Sequence, residues 1–175
     1  MKKILLHICC GPCATASIKK LQKKGFEVVG YYCNPNIHPD YEYRKRLKEA
    51  NKLANELKIE LIEESYNPKE YFVAIRGSEE NLKERCPKCW DLRIIKTAEK
   101  AKELNIKYIA TTLRISPYQN QSELLNIGKS IAKENNLIFY KGDLAQCFQE
   151  SIALSKEKKM YRQKYCGCIF SKSRR

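Results

Sequence analysis

No stretch of this sequence approaches the roughly 20 consecutive apolar residues needed to cross a bilayer. The opening Met1 to His7 has the basic start of a secretory leader, but its apolar run is short and His7 breaks it. The expectation is a cytoplasmic protein with no membrane contact, in a compartment where thiols stay reduced and disulfides are rare. Repeats, linkers and low-complexity segments are also missing, which leaves a single domain over residues 1–175. A chain of that length buries about two thirds of its unfolded surface and needs no staples. Negative charge is scarce: Asp and Glu total 20 against 34 Lys and Arg, a net +14. A merely solvated, thermophile-like surface balances the two signs. This imbalance points to a polyanionic partner, with nucleic acid ahead of membrane.

Cysteine, by contrast, is abundant, and nine in a reducing compartment call for metal or redox chemistry. Their setting follows from the pattern of the chain. Ile4, Leu5, Leu6 and Ile8 form a nearly continuous apolar run, as in a strand covered on both faces of a parallel sheet. Pro12 suits the first turn of a helix carrying Ala14, Ile18 and Leu21 and closed by Gly25. Phe26 to Cys33 reads as a second strand and residues 34–39 as a loop. A helix follows from Asp40 to about Leu57, with Leu47, Ala50, Leu53, Ala54 and Leu57 inward and Arg44, Lys45, Arg46 and Lys48 outward. Ile59 to Glu63 alternates as a third strand, and the aromatic stretch from Tyr66 to Phe72 gives no clear period. Cys86 and Cys89 lead into a helix marked by Ile94, Ala98, Ala101 and Leu104 and stopped at Asn105. Tyr108 to Leu113 is a β-branched fourth strand, and Ser116-Pro117 opens the loop after it. Asn120 and Glu123 have capping-box spacing. Leu137 to Tyr140 forms a fifth strand, and Phe148 with Ile152 starts a last helix before a basic, aromatic tail from Lys156. The expected fold is α/β: an open, mostly parallel Rossmann-like sheet with helices on both faces.

Ligands in such sheets collect outside the carboxyl ends of the strands. Cys9, Cys10 and Cys13 follow the first strand, and Cys13 falls in a first helical turn, where the dipole favours a thiolate. Cys10-Gly11-Pro12-Cys13 has the letters of a thioredoxin-type pair, although the extra thiol at Cys9 stands where that family carries Trp. Cys86-x-x-Cys89 is half of a zinc ribbon without its second knuckle, so a zinc-stabilised RNA-binding module without catalysis is a second reading. Four thiolates from Cys9, Cys10, Cys86 and Cys89 could instead hold a four-iron four-sulfur cluster. Cys166-Gly167-Cys168 is too tight for a structural staple, but its thiols could bind a second metal or form a strained, easily reduced disulfide. It sits amid Tyr161, Arg162 and Tyr165, rings and cations suited to an extruded base. Cys33 and Cys147 read as small buried hydrophobes and His7 as a satisfied core histidine. His38, in a proline-flanked loop, is balanced between site edge and structure. Asp143, just past the fifth strand, is balanced between oxygen ligand, proton relay and cap.

Taken in order, Ile8 to Cys13, Tyr32 to Ile37, Arg85 to Cys89, Thr111 to Pro117 and Tyr161 to Cys168 closely resemble the QueH family of epoxyqueuosine reductases, over nearly the whole chain. The resemblance implies a cobalamin-independent enzyme that reduces epoxyqueuosine to queuosine at the wobble position of a tRNA anticodon, fed by an unidentified electron donor. It implies a four-iron four-sulfur cluster on Cys9, Cys10, Cys86 and Cys89 and a redox-active pair at Cys166 and Cys168. It also implies a second, mononuclear iron beside the cluster that Cys13 helps to bind; on their own chemistry, Cys168 and Asp143 are further candidate ligands of that iron, and Tyr161, Arg162 and Tyr165 are candidate substrate contacts. The basic segment 156–175 is expected to complete the site. One departure is Gly11, where many relatives are expected to carry Ala. A similar sheet occurs in tRNA-modifying ATP pyrophosphatases, but the cysteine run here replaces their Ser-Gly-Gly phosphate loop.

Overall fold

In the computed structural model, which describes residues 1–172, five parallel strands lie in the order β3-β2-β1-β4-β5. The strands are β1 (Lys2–His7), β2 (Phe26–Tyr32), β3 (Leu61–Glu63), β4 (Tyr108–Thr111) and β5 (Ile138–Phe139). The helices are α1 (Gly11–Lys23), α2 (Asp40–Leu57), α3 (Pro68–Ala74), α4 (Leu82–Glu103), α5 (Gln121–Glu134), α6 (Phe148–Glu157) and α7 (Ile169–Lys172). This is the α/β architecture that the alternating pattern predicts. The order reverses at β1, so a crevice opens between the carboxyl ends of β1 and β4.

Successive β1 side chains point to opposite faces, so one strand nucleates two cores. Leu5 joins Val29, Trp90, Ile94, Ala98, Leu124 and Phe139 on the side of α4 and α5. Ile4 and Leu6 join Ile18, Leu21, Val28, Leu53 and Met160 on the side of α1 and α2. With both faces covered, a continuous apolar run is what β1 requires. The expected caps are present: Asn120 accepts from the Glu123 amide at 3.2 Å and donates to its carboxylate at 3.1 Å, while Asn105 takes the left-handed conformation (φ 54°) after α4.

Several expectations are corrected. The strand expected to run to Leu113 stops at Thr111, because the chain tightens into a 3-10 turn over Thr112–Ile115 with the Thr111 hydroxyl accepting from the Leu113 amide. Part of the aromatic stretch without a period is a helix, α3, started by Pro68. Cys86 and Cys89 lie within α4 rather than ahead of it, although Pro87 cannot donate to the preceding turn. Arg46, expected on the outward face of α2, is buried with Glu42, its Nε 2.7 Å from Oε1. Of the basic tail, residues 160–168 fold back onto the body, where Met160 joins the α1–α2 core and Tyr165 is buried. Residues 173–175 of the expected site segment lie outside the described residues.

Candidate metal and redox centre

A cavity of about 770 Å³ lies at the switch point, and Cys9, Cys13, Cys86, Cys89, Cys166 and Cys168 all line it. Three separate segments supply them. The β1–α1 turn delivers the first group: the sulfurs of Cys9, Cys10 and Cys13 lie within 4.8 Å of one another, and Cys9 Sγ is 3.8 Å from Cys10 Sγ. Metal–thiolate bonds of about 2.3 Å at tetrahedral angles set neighbouring sulfurs about 3.8 Å apart, so this spacing suits ligands that share one ion. The helical spacing of α4 brings Cys86 and Cys89 to the same cavity, and Cys89 packs with Cys168, Tyr71 and Ile75 in one small cluster. Soft donors in this number fit iron or zinc; of the four thiols expected to hold a cluster, Cys9, Cys86 and Cys89 border the cavity, while Cys10 is fully buried beside Cys9 and is not part of the lining.

The thiols are held by groups that the sequence reading did not single out. Thr112 donates to Cys9 Sγ at 3.2 Å, and Gln163 Nε2 lies 2.9 Å from Cys10 Sγ. Hydrogen bonds from Cys10 and then Cys13 hold Cys9 well below the ordinary thiol range, whereas Cys13 is pushed up as the donor. Burial, followed by the neighbouring Cys89, raises Cys86 to about 11, and burial raises Cys89. Metal binding then releases protons from these thiols, since the thiolate is the ligand.

Cys166 and Cys168 form an unequal pair. The Cys168 thiol donates to Cys166, lowering Cys166 to about 5 and raising Cys168. Tyr71 OH donates to Cys168 Sγ at 2.8 Å. Arg46 fixes the backbone of this turn, donating to the carbonyls of Tyr165 at 3.0 Å and Cys166 at 3.1 Å. Gly167 sits at φ 110°, and a Cβ there would stand 2.8 Å from Ile37 Cγ1.

Of the other residues singled out, Arg162 and Tyr165 line the cavity, but the Tyr165 hydroxyl donates to the His38 carbonyl and Tyr161 OH donates to Glu42 at 2.8 Å. Asp143 is not part of the lining, and its carboxylate accepts from the Ala145 amide at 2.9 Å as a cap. His38 packs on Phe72, with ring centres 4.8 Å apart. Cys33 and Cys147 are buried, as expected of small hydrophobes. His7 is fully buried, donating from Nε2 to the Cys33 carbonyl and accepting at Nδ1 from Thr111, and burial, then Arg93, lowers it to about 3. At the rim, Tyr118 is 80 % exposed beside Gln119 and Phe148.

A family model described as "Epoxyqueuosine reductase QueH" matches residues 4–174. The chain belongs to this family. Relatives named epoxyqueuosine reductase QueH include one from Dehalococcoides mccartyi, 38 % identical with 99 % of this chain and 94 % of that protein covered. Another, from Streptococcus pyogenes serotype M1, is 33 % identical, with 96 % of this chain and 69 % of that protein covered. Among solved structures, the chain is similar to one titled as a predicted subunit of tRNA methyltransferase from Methanocaldococcus jannaschii, with a TM-score of 0.62 at 15 % identity. That likeness covers 90 % of this chain and 75 % of the other, and it bears on the fold alone. Gly11 is one place where this QueH chain has a local reason for its residue: a Cβ would lie 2.9 Å from the Glu49 carbonyl oxygen and 2.7 Å from Met160 Cε.

Proposed function

We propose that this protein reduces epoxyqueuosine to queuosine at the wobble position of a tRNA, in the cytoplasm. The supporting observation is that six thiols from three distant segments of a QueH-family chain surround one cavity. Opening an epoxide to an alkene consumes two electrons and two protons and releases water. An iron-sulfur centre held by Cys9, Cys10, Cys86 and Cys89, with a further iron beside Cys13, would supply electrons and Lewis acidity when bound.

The chain's own residues supply the rest. Oxidation of the Cys166 thiolate and the Cys168 thiol to a disulfide yields two electrons and one proton, and water supplies the second proton that the deoxygenation consumes. Cys168 Sγ holds its proton beside the Cys166 thiolate, within reach of the Tyr71 hydroxyl. An external donor of unassigned identity returns the pair to the dithiol. Basic side chains contact phosphates, and the modified base enters the cavity past Tyr118 and Arg162, rings and cations being suited to an unstacked base. Residues 160–168 complete the site by closing one wall of the cavity.

Cys168→Ser is expected to abolish queuosine formation from epoxyqueuosine-containing tRNA while leaving the visible iron-sulfur absorption of the anaerobically reconstituted protein largely intact. Full turnover by that variant would remove the pair from the mechanism. A colourless protein holding zinc without labile sulfide, and inactive, would support the RNA-binding module instead, a reading favoured by the single-ion spacing of Cys9 and Cys10.

A further inference from the structure

Three arginines line the cavity from buried positions: Arg46, Arg85 and Arg93. Arg46 has a carboxylate partner in Glu42. Among the described residues, Arg85 and Arg93 have none, at 1 % and 3 % exposure. Arg85 donates only to the Glu79 carbonyl and lies over the Phe170 ring, 5.5 Å from its centre, and its Nε and Nη2 have no hydrogen-bond partner. Arg93 Nη2 donates to Asn34 at 2.8 Å, and Nη1 lies 3.9 Å from Cys89 Sγ. Its Nε is 3.4 Å from His7 Nε2, which already carries the proton given to the Cys33 carbonyl and so cannot accept.

Two guanidinium groups buried without a carboxylate partner carry a desolvation penalty that a cation–π contact and neutral hydrogen bonds do not fully offset. Their placement supplies a reason for keeping them. Residues 85, 89 and 93 repeat every four positions, so one face of α4 presents Arg85, Cys89 and Arg93, with Cys86 adjacent. Arg85 and Arg93 line the same cavity as Cys9, Cys13, Cys86, Cys89, Cys166 and Cys168, and Arg93 Nη1 stands 3.9 Å from Cys89 Sγ. Each of the three segments that bring thiols to the cavity therefore shares it with the two cations. A four-iron four-sulfur core on four thiolates is a dianion in its oxidised form.

We propose that Arg85 and Arg93 are the fixed counter-charges of a dianionic thiolate-bound centre in this cavity, and that they set its reduction potential. The inference rests on the functional reading above. Adding one electron raises the negative charge of the centre, so two buried cations beside it favour the reduced state, and removing either makes reduction harder. They act on the centre from outside the ligand set and are positioning residues.

The test is a potentiometric titration of the anaerobically reconstituted wild type against Arg85→Gln, Arg93→Gln and the corresponding Lys variants. Each Gln variant is expected to lower the equilibrium constant for one-electron reduction about tenfold, equivalent to about 59 mV. The Lys variants keep the charge and should stay near the wild-type potential. A Gln variant that cannot load the centre while its Lys counterpart loads supports the same conclusion. In metal-free protein, Arg85→Gln should melt above wild type, and loading should reverse that order. Gln variants that load and titrate at the wild-type potential overturn the counter-charge assignment alone. A wild type that takes up no iron and sulfide overturns the functional reading, and the counter-charges with it.

Discussion

At the scale of single residues, the Cys166-Gly167-Cys168 turn shows how three positions set a chemistry. Cys166 is lowered to about 5 by the hydrogen bond from Cys168, helped by Ser171, so it loses its proton as pH rises through that value and is a thiolate at neutrality. In metal-free protein, alkylation of Cys166 by iodoacetamide should vary less than about twofold between pH 6.5 and 8, where an ordinary thiol climbs more than about tenfold. A steep rise over that interval would show that the pair does not share its proton as described. Gly167 makes the turn possible at φ 110°. Gly167→Ala is expected to cost about 1–3 kcal/mol, through the left-handed backbone and the contact with Ile37, read as a lower denaturant midpoint. Unchanged stability would mean that the turn relaxes freely. The two thiols were legible as a pair from their spacing, but their inequality was not. It depends on Tyr71 and Ser171 and on which sulfur donates.

Among the elements, α2 does more than cover the sheet. Its Arg46 reaches from a pair with Glu42 to the carbonyls of Tyr165 and Cys166, and Tyr161 closes the same network on Glu42. A helix near the start of the chain thereby fixes the wall formed near its end. Arg46→Met strands Glu42 in the interior and should cost about 3–5 kcal/mol in chemical denaturation, whereas Arg46→Met with Glu42→Gln should cost markedly less. Equal losses in the single and double variants would argue that burial of the pair is incidental. The helix itself, from Asp40 to Leu57, followed from periodicity, but its charged face was misassigned at Arg46. A 3.6-residue period cannot tell a solvated cation from one that a returning segment covers. Likewise α3 and the 3-10 turn after β4 owe their shape to local hydrogen bonds and packing that leave no apolar repeat.

For the whole molecule, the net charge of +14 bears on association rather than on fold. Binding of an anticodon stem-loop should weaken at least about tenfold between 50 and 200 mM salt, as counterions released from phosphates are paid back. A fluorescence anisotropy titration that shows no salt dependence would count against phosphate contacts as the source of affinity. Among the described residues no helix is long and apolar enough to cross a membrane.

The sequence by itself determined the alternation of strands and helices, and with it a parallel sheet whose strand ends gather a site, because periodicity and caps act over a few residues. It also determined which thiols were available, and their ordered motifs carried the family resemblance. Only the tertiary structure decided that the thiols of three segments border one cavity, that Arg46 is paired while Arg85 and Arg93 are not, and that Asp143 stands outside the cavity lining. Those outcomes depend on which side chains exclude water from which others across separations of up to about 160 positions, and no local pattern encodes that exclusion.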